Sequence, residues 1–169
     1  MEGLMRLKAM AKINLGLDVL GKREDGYHEV RMIMQTIRMY DILDIRKTRR
    51  PGIVLTTNLP FIPTDQRNLV YKAAQMLMEE FDVEEGLSIK LRKFIPVAAG
   101  MAGGSSDAAA AFVGVNRMFH LGLTEEQLME RAVKVGADVP YCIMRGTALA
   151  EGIGEKLTRL PEVPKCYVL

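Results

Sequence analysis

Apolar and polar residues alternate over 4–20, in step with Leu4, Arg6, Lys8, Lys12, Asn14, Gly16 and Asp18, and the period predicts one or two strands. Lys22 to Gly26 is polar, and Asp25-Gly26 signals a hairpin turn. Glu29 to Ile37 and Ile42 to Thr48 read as two further strands, and Gly52 to Thr57 as another, rich in β-branched residues. Asn58 to Asp65 carries two prolines and reads as a loop. The period turns helical over Asn68 to Phe81, through Leu69, Ala73, Met76, Leu77 and Phe81. Leu87 to Phe94 alternates again. Ser105 to Phe119 and Thr124 to Val135 read as helices, the second opened by a Thr124–Gln127 capping box. Gly146 to Glu151 and Lys156 to Leu160 are short strands, and Cys166 to Leu169 reads as the start of one more. Strands come first and helices are mixed in later, which predicts an α+β fold.

Composition narrows the class. The chain has 169 residues, 49% of them hydrophobic, enough for one well-packed domain. No run of apolar residues is long enough to span a membrane, and Met1 to Arg6 lacks an apolar leader, so the expectation is a cytoplasmic protein without a membrane partner. The net charge of +2, with both signs interspersed, argues against a nucleic-acid partner. Arg46-Lys47-Thr48-Arg49-Arg50, just before Pro51-Gly52, reads as a solvated hairpin turn. Cys142 and Cys166 have no metal-ligand spacing and are expected to be reduced thiols.

Chemistry concentrates in Pro96 to Ala111, where a glycine-rich loop empties into an alanine-rich helix. Glycines let the backbone approach a ligand, and the first N–H groups of a helix attract anions. This is a phosphate cradle or an ordinary loop capped by Ser105 or Ser106. The run is neither a lysine-containing P-loop nor G-x-G-x-x-G. Asp138 stands in an apolar context before Val139-Pro140, and is either a helix N-cap or a carboxylate in need of a partner. Lys12 reads as an ordinary strand lysine, Tyr27-His28 as surface residues after a turn, and Asn68 as an N-cap.

Four stretches taken together carry a resemblance: Ala11-Lys12-Ile13-Asn14-Leu15, Asp25-Gly26-Tyr27-His28, the Gly100 to Ser106 loop, and Gly136-Ala137-Asp138-Val139-Pro140. In this order and spacing the chain resembles the GHMP kinases. The resemblance implies the GHMP kinase N-terminal domain, a two-layer α+β fold with a left-handed β-α-β crossover. It implies ATP and Mg2+ as cofactors. Pro96, Gly100, Ala102, Gly103, Gly104, Ser105 and Ser106 would bind ATP, with Ser106 also a magnesium ligand. Asn68 would contact adenine, and Lys93 the nucleotide's phosphate or ribose. Asp138 would be the catalytic base, with Lys12 its cationic partner, and Asn14 would position the substrate. Tyr27 and His28 would hold the cytosine ring of a small-molecule substrate, a cytidine diphosphate derivative. Met101, Ala98, Ala99 and Ala102 depart from the family's usual leucine and glycines, stiffening the loop. The resemblance further implies an ATP-binding domain over 1–160, with 161–169 beginning a second, missing domain, and an exposed C-terminal edge open to homodimerisation. Two alternatives stay open: a non-catalytic nucleotide-binding half, or a GHMP kinase for homoserine, mevalonate or a sugar. An RNA-binding α+β domain is a more distant one.

Overall fold

The computed structural model describes residues 3–22, 24 and 26–168. Asp25 of the expected hairpin signal, and Leu169, lie outside the described residues. The elements in chain order are β1 (Met5–Lys22), β2 (His28–Thr48), β3 (Ile53–Thr57), α1 (Leu69–Glu80), β4 (Gly86–Arg92), α2 (Gly103–Met118), α3 (Glu125–Ala132), α4 (Val139–Met144), β5 (Thr147–Gly152) and β6 (Lys156–Arg159). This is the α+β arrangement expected from the pattern.

The long strand β2 organises the sheet, whose order is β3-β4-β2-β5-β6 with β1 also paired to β2. β1 runs antiparallel along β2 from Met5–Ile45 to Lys22–His28. The C-terminal part of β2 pairs with β4, and its N-terminal part with β5. The two strands expected within 29–48 are one, because the register shift between the Lys12–Thr36 and Met10–Tyr40 pairs is absorbed without ending the strand. The basic stretch 46–50 does end in exposed bends, but not in a β2–β3 hairpin. β4 inserts between the two strands and pairs parallel with β3, so α1 makes a β-α-β crossover. In that place between β3 and β2, β4 buries Leu87, Ile89 and Leu91.

The helices pack their buried faces on the sheet. Val70, Leu77, Phe112 and Val115 meet Leu43 and Ile45 in one core. Small residues bring α2 close: a Cβ on Gly114 would lie 2.5 Å from Ile45 Cδ1 and 2.7 Å from Leu7 Cδ1. The capping box forms as expected, with Gln127 N donating to Thr124 Oγ1 at 3.2 Å and Thr124 N to Gln127 Oε1 at 3.0 Å. Cys166 to Val168 form no strand; they are exposed, and a lone edge segment has no ladder to complete.

The short helix α4 is held opposite β1 by Tyr141. Its buried phenol donates to Gly146 O at 2.7 Å and lies 3.0 Å from Thr36 Oγ1, and Thr36 is the ladder partner of Lys12. Burial pushes this phenol up to about 12. Just beyond, Arg145 has φ 59° and ψ −176°, a region reserved almost wholly for glycine. Its guanidinium donates to Lys8 O at 2.9 Å, an exposed bond. Arg145→Gly is therefore expected to raise unfolding stability by about 1 kcal/mol, the relief of strain less one surface hydrogen bond. Urea unfolding checks this, and a lower midpoint would refute it.

Candidate active site

Between β4 and α2 the chain forms a loop in which Ala98, Gly100 and Ala102 have φ of 60°, 72° and 54°. Left-handed residues alternating with ordinary ones turn successive N–H groups toward one side, an anion-binding concavity. The expected stiffening by alanine is thus a strain, since Ala98 and Ala102 sit where glycine is cheaper. α2 begins at Gly103, two residues earlier than expected, with Ala102 at the N-cap and no side-chain cap. Neither serine caps the helix. The first-turn N–H groups lack intrahelical partners and carry the positive end of the helix dipole.

This loop and helix end border a cleft of about 570 Å³. Of the sequence-derived candidates, Lys12, Asn14, Asn68, Lys93, Pro96, Gly100, Ala102, Gly103, Gly104, Ser105 and Asp138 line it. At the irregularity in the β1–β2 ladder the backbone of β1 turns to the loop and helix. Lys12 N donates to Met101 O at 3.2 Å, and Met10 O accepts from Ser106 Oγ at 2.6 Å.

Lys12 is 5% exposed, yet its ammonium does not lack partners. It donates to Asn14 Oδ1 at 3.2 Å and stands 3.8 Å from Asp138 Oδ2. Asp138 occupies the N-cap position of α4 with proline in the first turn, as the simple reading had it. Its side chain makes no cap bond, however. The carboxylate faces Lys12 and keeps 31% of its surface open. A buried ammonium, a half-open carboxylate and an amide beside a phosphate-type loop can hold an anion and take a proton from a hydroxyl.

Several expected roles move. Ser106 is 2% exposed, outside the lining, and its hydroxyl ties α2 to β1; it is not placed as a magnesium ligand. Asn68 caps α1, accepting from Val70 N at 2.9 Å and donating to Pro63 O at 2.8 Å, so its amide is engaged within the fold. The Lys93 ammonium, though its residue lines the cleft, is clamped between Asp41 and Asp107, its bond to Asp107 Oδ2 being 2.7 Å. Burial works to lower the Lys93 ammonium, but the two carboxylates outweigh it and raise it. Tyr27 and His28 are exposed at the far end of the β1–β2 pair and do not line the cleft.

Three neighbours escaped the sequence reading. Asp41, buried mid-strand, had one available signal: a carboxylate among apolar residues of a strand. Asp107, in α2, carries no local signal beyond that of an acid near a helix start. Gly154, in the β5–β6 turn, borders Asp138: a Cβ there would lie 3.9 Å from Asp138 Oδ1 and 3.0 Å from Met32 Cε. Cys142, in α4 next to the site, is a buried thiol; burial, then Asp138, pushes it up to about 12. Among the described residues, no cluster of three or more His, Cys, Asp or Glu could hold a metal ion, and no helix is long and apolar enough to cross a membrane.

A family model described as the GHMP kinases N terminal domain matches residues 68–146. The 4-diphosphocytidyl-2-C-methyl-D-erythritol kinase of Lachnospira eligens is 57% identical over 98% of this chain and 57% of its own length. The chain carries the GHMP kinase N-terminal domain fold. The like-named kinase of Caldicellulosiruptor bescii is 55% identical over 98% of the chain and 58% of its own length. This GHMP kinase domain thus spans little more than half the length of these curated relatives. A crystal structure of 4-(cytidine 5'-diphospho)-2C-methyl-D-erythritol kinase matches it with a TM-score of 0.81 at 35% identity, over 92% of this chain and 55% of that one. The Methanococcus jannaschii mevalonate kinase shares the fold alone, with a TM-score of 0.72 at 16% identity over 94% of this chain and 56% of that one. The matched segment of the GHMP kinase domain holds the loop and Asp138, while Lys12 and Asn14 come from β1 outside it.

Proposed function

We propose that this domain binds ATP in the cleft and helps transfer its terminal phosphoryl group to the 2-hydroxyl of 4-diphosphocytidyl-2-C-methyl-D-erythritol. The observation that carries the reading is Asp138 Oδ2 at 3.8 Å from the Lys12 ammonium, both lining the cleft that the glycine loop borders. The choice of substrate is supported by the names of relatives above 50% identity.

Phosphoryl transfer asks mainly for position and charge stabilisation. The loop N–H groups and the start of α2 would receive the triphosphate. Asp138 would accept the proton of the attacking hydroxyl as its oxygen bonds to the γ-phosphorus and the bond to the bridging oxygen of ADP breaks. Lys12 would hold positive charge where negative charge moves, and Asn14, bonded to Lys12, would fix the ammonium's direction. Ser105 is an oxygen donor lining the cleft beside the start of α2, where magnesium, which keeps phosphate and water among its ligands, would supply charge neutralisation.

ADP release with magnesium-ATP, with and without the cytidine substrate, tests this. Release that depends on substrate supports the kinase; release with homoserine or mevalonate instead replaces the substrate. The second reading, a nucleotide-binding half that does not turn over alone, is favoured by the chain spanning 57% of its relative and by Tyr27 and His28 standing outside the cleft. ATP binding without ADP release, with activity gained on adding the rest of a relative's chain, would establish it. If His28 stacks on or bonds to the base, His28→Ala should raise the Michaelis constant for the cytidine substrate about tenfold and leave ATP affinity alone. A change in ATP affinity instead would place His28 elsewhere.

A further inference from the structure

Lys12 and Asp138 come to the cleft from separate elements, and neither is fixed by its own element. Lys12 stands at a register shift of the β1–β2 ladder: it pairs with Thr36 while Met10 pairs with Tyr40, so Ile37, Arg38 and Met39 stand against Ala11. Its backbone N–H leaves the ladder for Met101 O in the glycine loop. Asp138 opens a helix of six residues, too short to be stable by itself, and its side chain makes no cap bond. The 3.8 Å between the two charged groups is therefore set by whatever ties α4 to β2 beside Lys12.

Tyr141, Thr36 and Gly146 make that tie. Gly146 N donates to Thr36 Oγ1 at 3.1 Å. Gly146 O accepts from Thr36 N at 3.0 Å and from the Tyr141 hydroxyl at 2.7 Å. Tyr141 Oη lies 3.0 Å from Thr36 Oγ1. A carbonyl only accepts and each hydroxyl has one proton, so the directions are fixed. Tyr141 gives its proton to Gly146 O, Thr36 gives its proton to Tyr141 Oη, and Thr36 Oγ1 accepts from Gly146 N. The ring closes with every proton used. Burial pushes the phenol up to about 12, so it keeps that proton at neutral pH. Thr36 is also held through its carbonyl, which accepts from Gln35 Nε2 at 2.8 Å, while Gln35 Oε1 accepts from Thr147 Oγ1 at 2.7 Å. The other bond from this end of α4, Arg145 to Lys8 O, is exposed and competes with water. Packing alone does not call for the Tyr141 hydroxyl, since phenylalanine would fill the same space without the cost of burying a polar group.

We propose that Tyr141 is a positioning residue whose hydroxyl locks α4 to Thr36 and so sets the distance between Asp138 and Lys12. Its effect on turnover rests on the phosphoryl-transfer reading above, whereas its effect on the charged pair does not.

The pair is read by a double-mutant cycle in urea, combining Lys12→Met with Asp138→Asn. In the native chain the coupling should be about threefold in the unfolding constant, as for a partly open ion pair. In a Tyr141→Phe background it should vanish. Thr36→Val opens the same ring and should abolish it, whereas Thr36→Ser keeps a hydroxyl and should retain it. No coupling in the native chain, coupling unchanged by Tyr141→Phe, or equal loss in both threonine variants would each overturn the proposal. Should Tyr141→Phe not fold, the two threonine variants decide alone.

Turnover supplies the second readout. Tyr141→Phe should lower kcat for substrate-dependent ADP release about tenfold, less than the roughly 10²-fold of a 1 Å misplacement, and leave magnesium-ATP affinity unchanged. Leu77→Ala, an equally buried change in α1, should lower stability but not the kcat of the folded protein. Native kcat in Tyr141→Phe, or an equal fall in Leu77→Ala, would also overturn the positioning role. If no substrate yields ADP while the coupling still depends on the hydroxyl, the positioning role stands and the transfer reading alone falls.

Discussion

Asp138→Asn is expected to lower substrate-dependent ADP release by about 10²–10⁴ while leaving ATP affinity nearly unchanged. The substitution keeps shape and cleft volume but removes the group able to take a proton. Asp138 makes no cap bond, so α4 loses no support at its start. Tyr141 continues to tie the helix to Gly146 and Thr36. Lys12 keeps Asn14 as a partner, so its buried ammonium is not stranded. The loss should therefore lie in turnover and not in folding. Single-turnover kinetics beside calorimetric ATP titration separates the two. A variant with native turnover would remove Asp138 from the chemistry, and one that loses ATP binding would make it a nucleotide contact.

The second large effect is on stability. Asp41→Ala is expected to destabilise the domain by about 3 kcal/mol, the low end of what breaking a buried ion pair costs. The carboxylate has no exposure and accepts from Lys93 Nζ, Phe94 N and Ile95 N. Removing it leaves two backbone donors without their acceptor, Ile95 N among them in the interior. The lysine is not stranded to the same degree, because Asp107 Oδ2 still accepts from its ammonium at 2.7 Å. Hence the low end of the range. Urea unfolding measures it, and a shift below about 1 kcal/mol would show that the site admits water or relaxes freely. The same variant should weaken ATP binding, since Phe94 and Ile95 lead into the loop.

Local chemistry wrote much of this fold into the chain. Alternation located the strands, helical spacing located α1 and α2, and Thr124 with Gln127 announced the start of α3 three residues apart. These signals were legible because the interacting groups are near neighbours. The glycine-rich run was legible for the same reason: the loop, the helix end and their N–H groups are consecutive. Strand ends were less so. Nothing local says that β2 continues through Arg38 to Asp41, because β1 pairing along its length decides it. Nor could the basic turn reveal that β4 would separate β2 from β3, which depends on β4 burying Leu87, Ile89 and Leu91 between two ladders.

In the site, residue types and spacing drew attention to Lys12, Asn14 and Asp138, and the resemblance supplied their roles. Only the tertiary structure decided what each side chain touches. Asp138 stands in a cap position yet faces Lys12, because Tyr141 pins α4 across from the strand that carries the lysine. Asn68 and Ser106, equally plausible as ligand contacts by sequence, are turned inward to Pro63, Val70 and Met10. Asp41, Lys93 and Asp107 come from three separate elements, and none of their local contexts announces the others. A cap or a turn needs a few consecutive residues, and the sequence of this protein determined those. A buried charge must find its partner wherever the sheet and helix packing brings one, so the chemistry of the cleft was settled by packing.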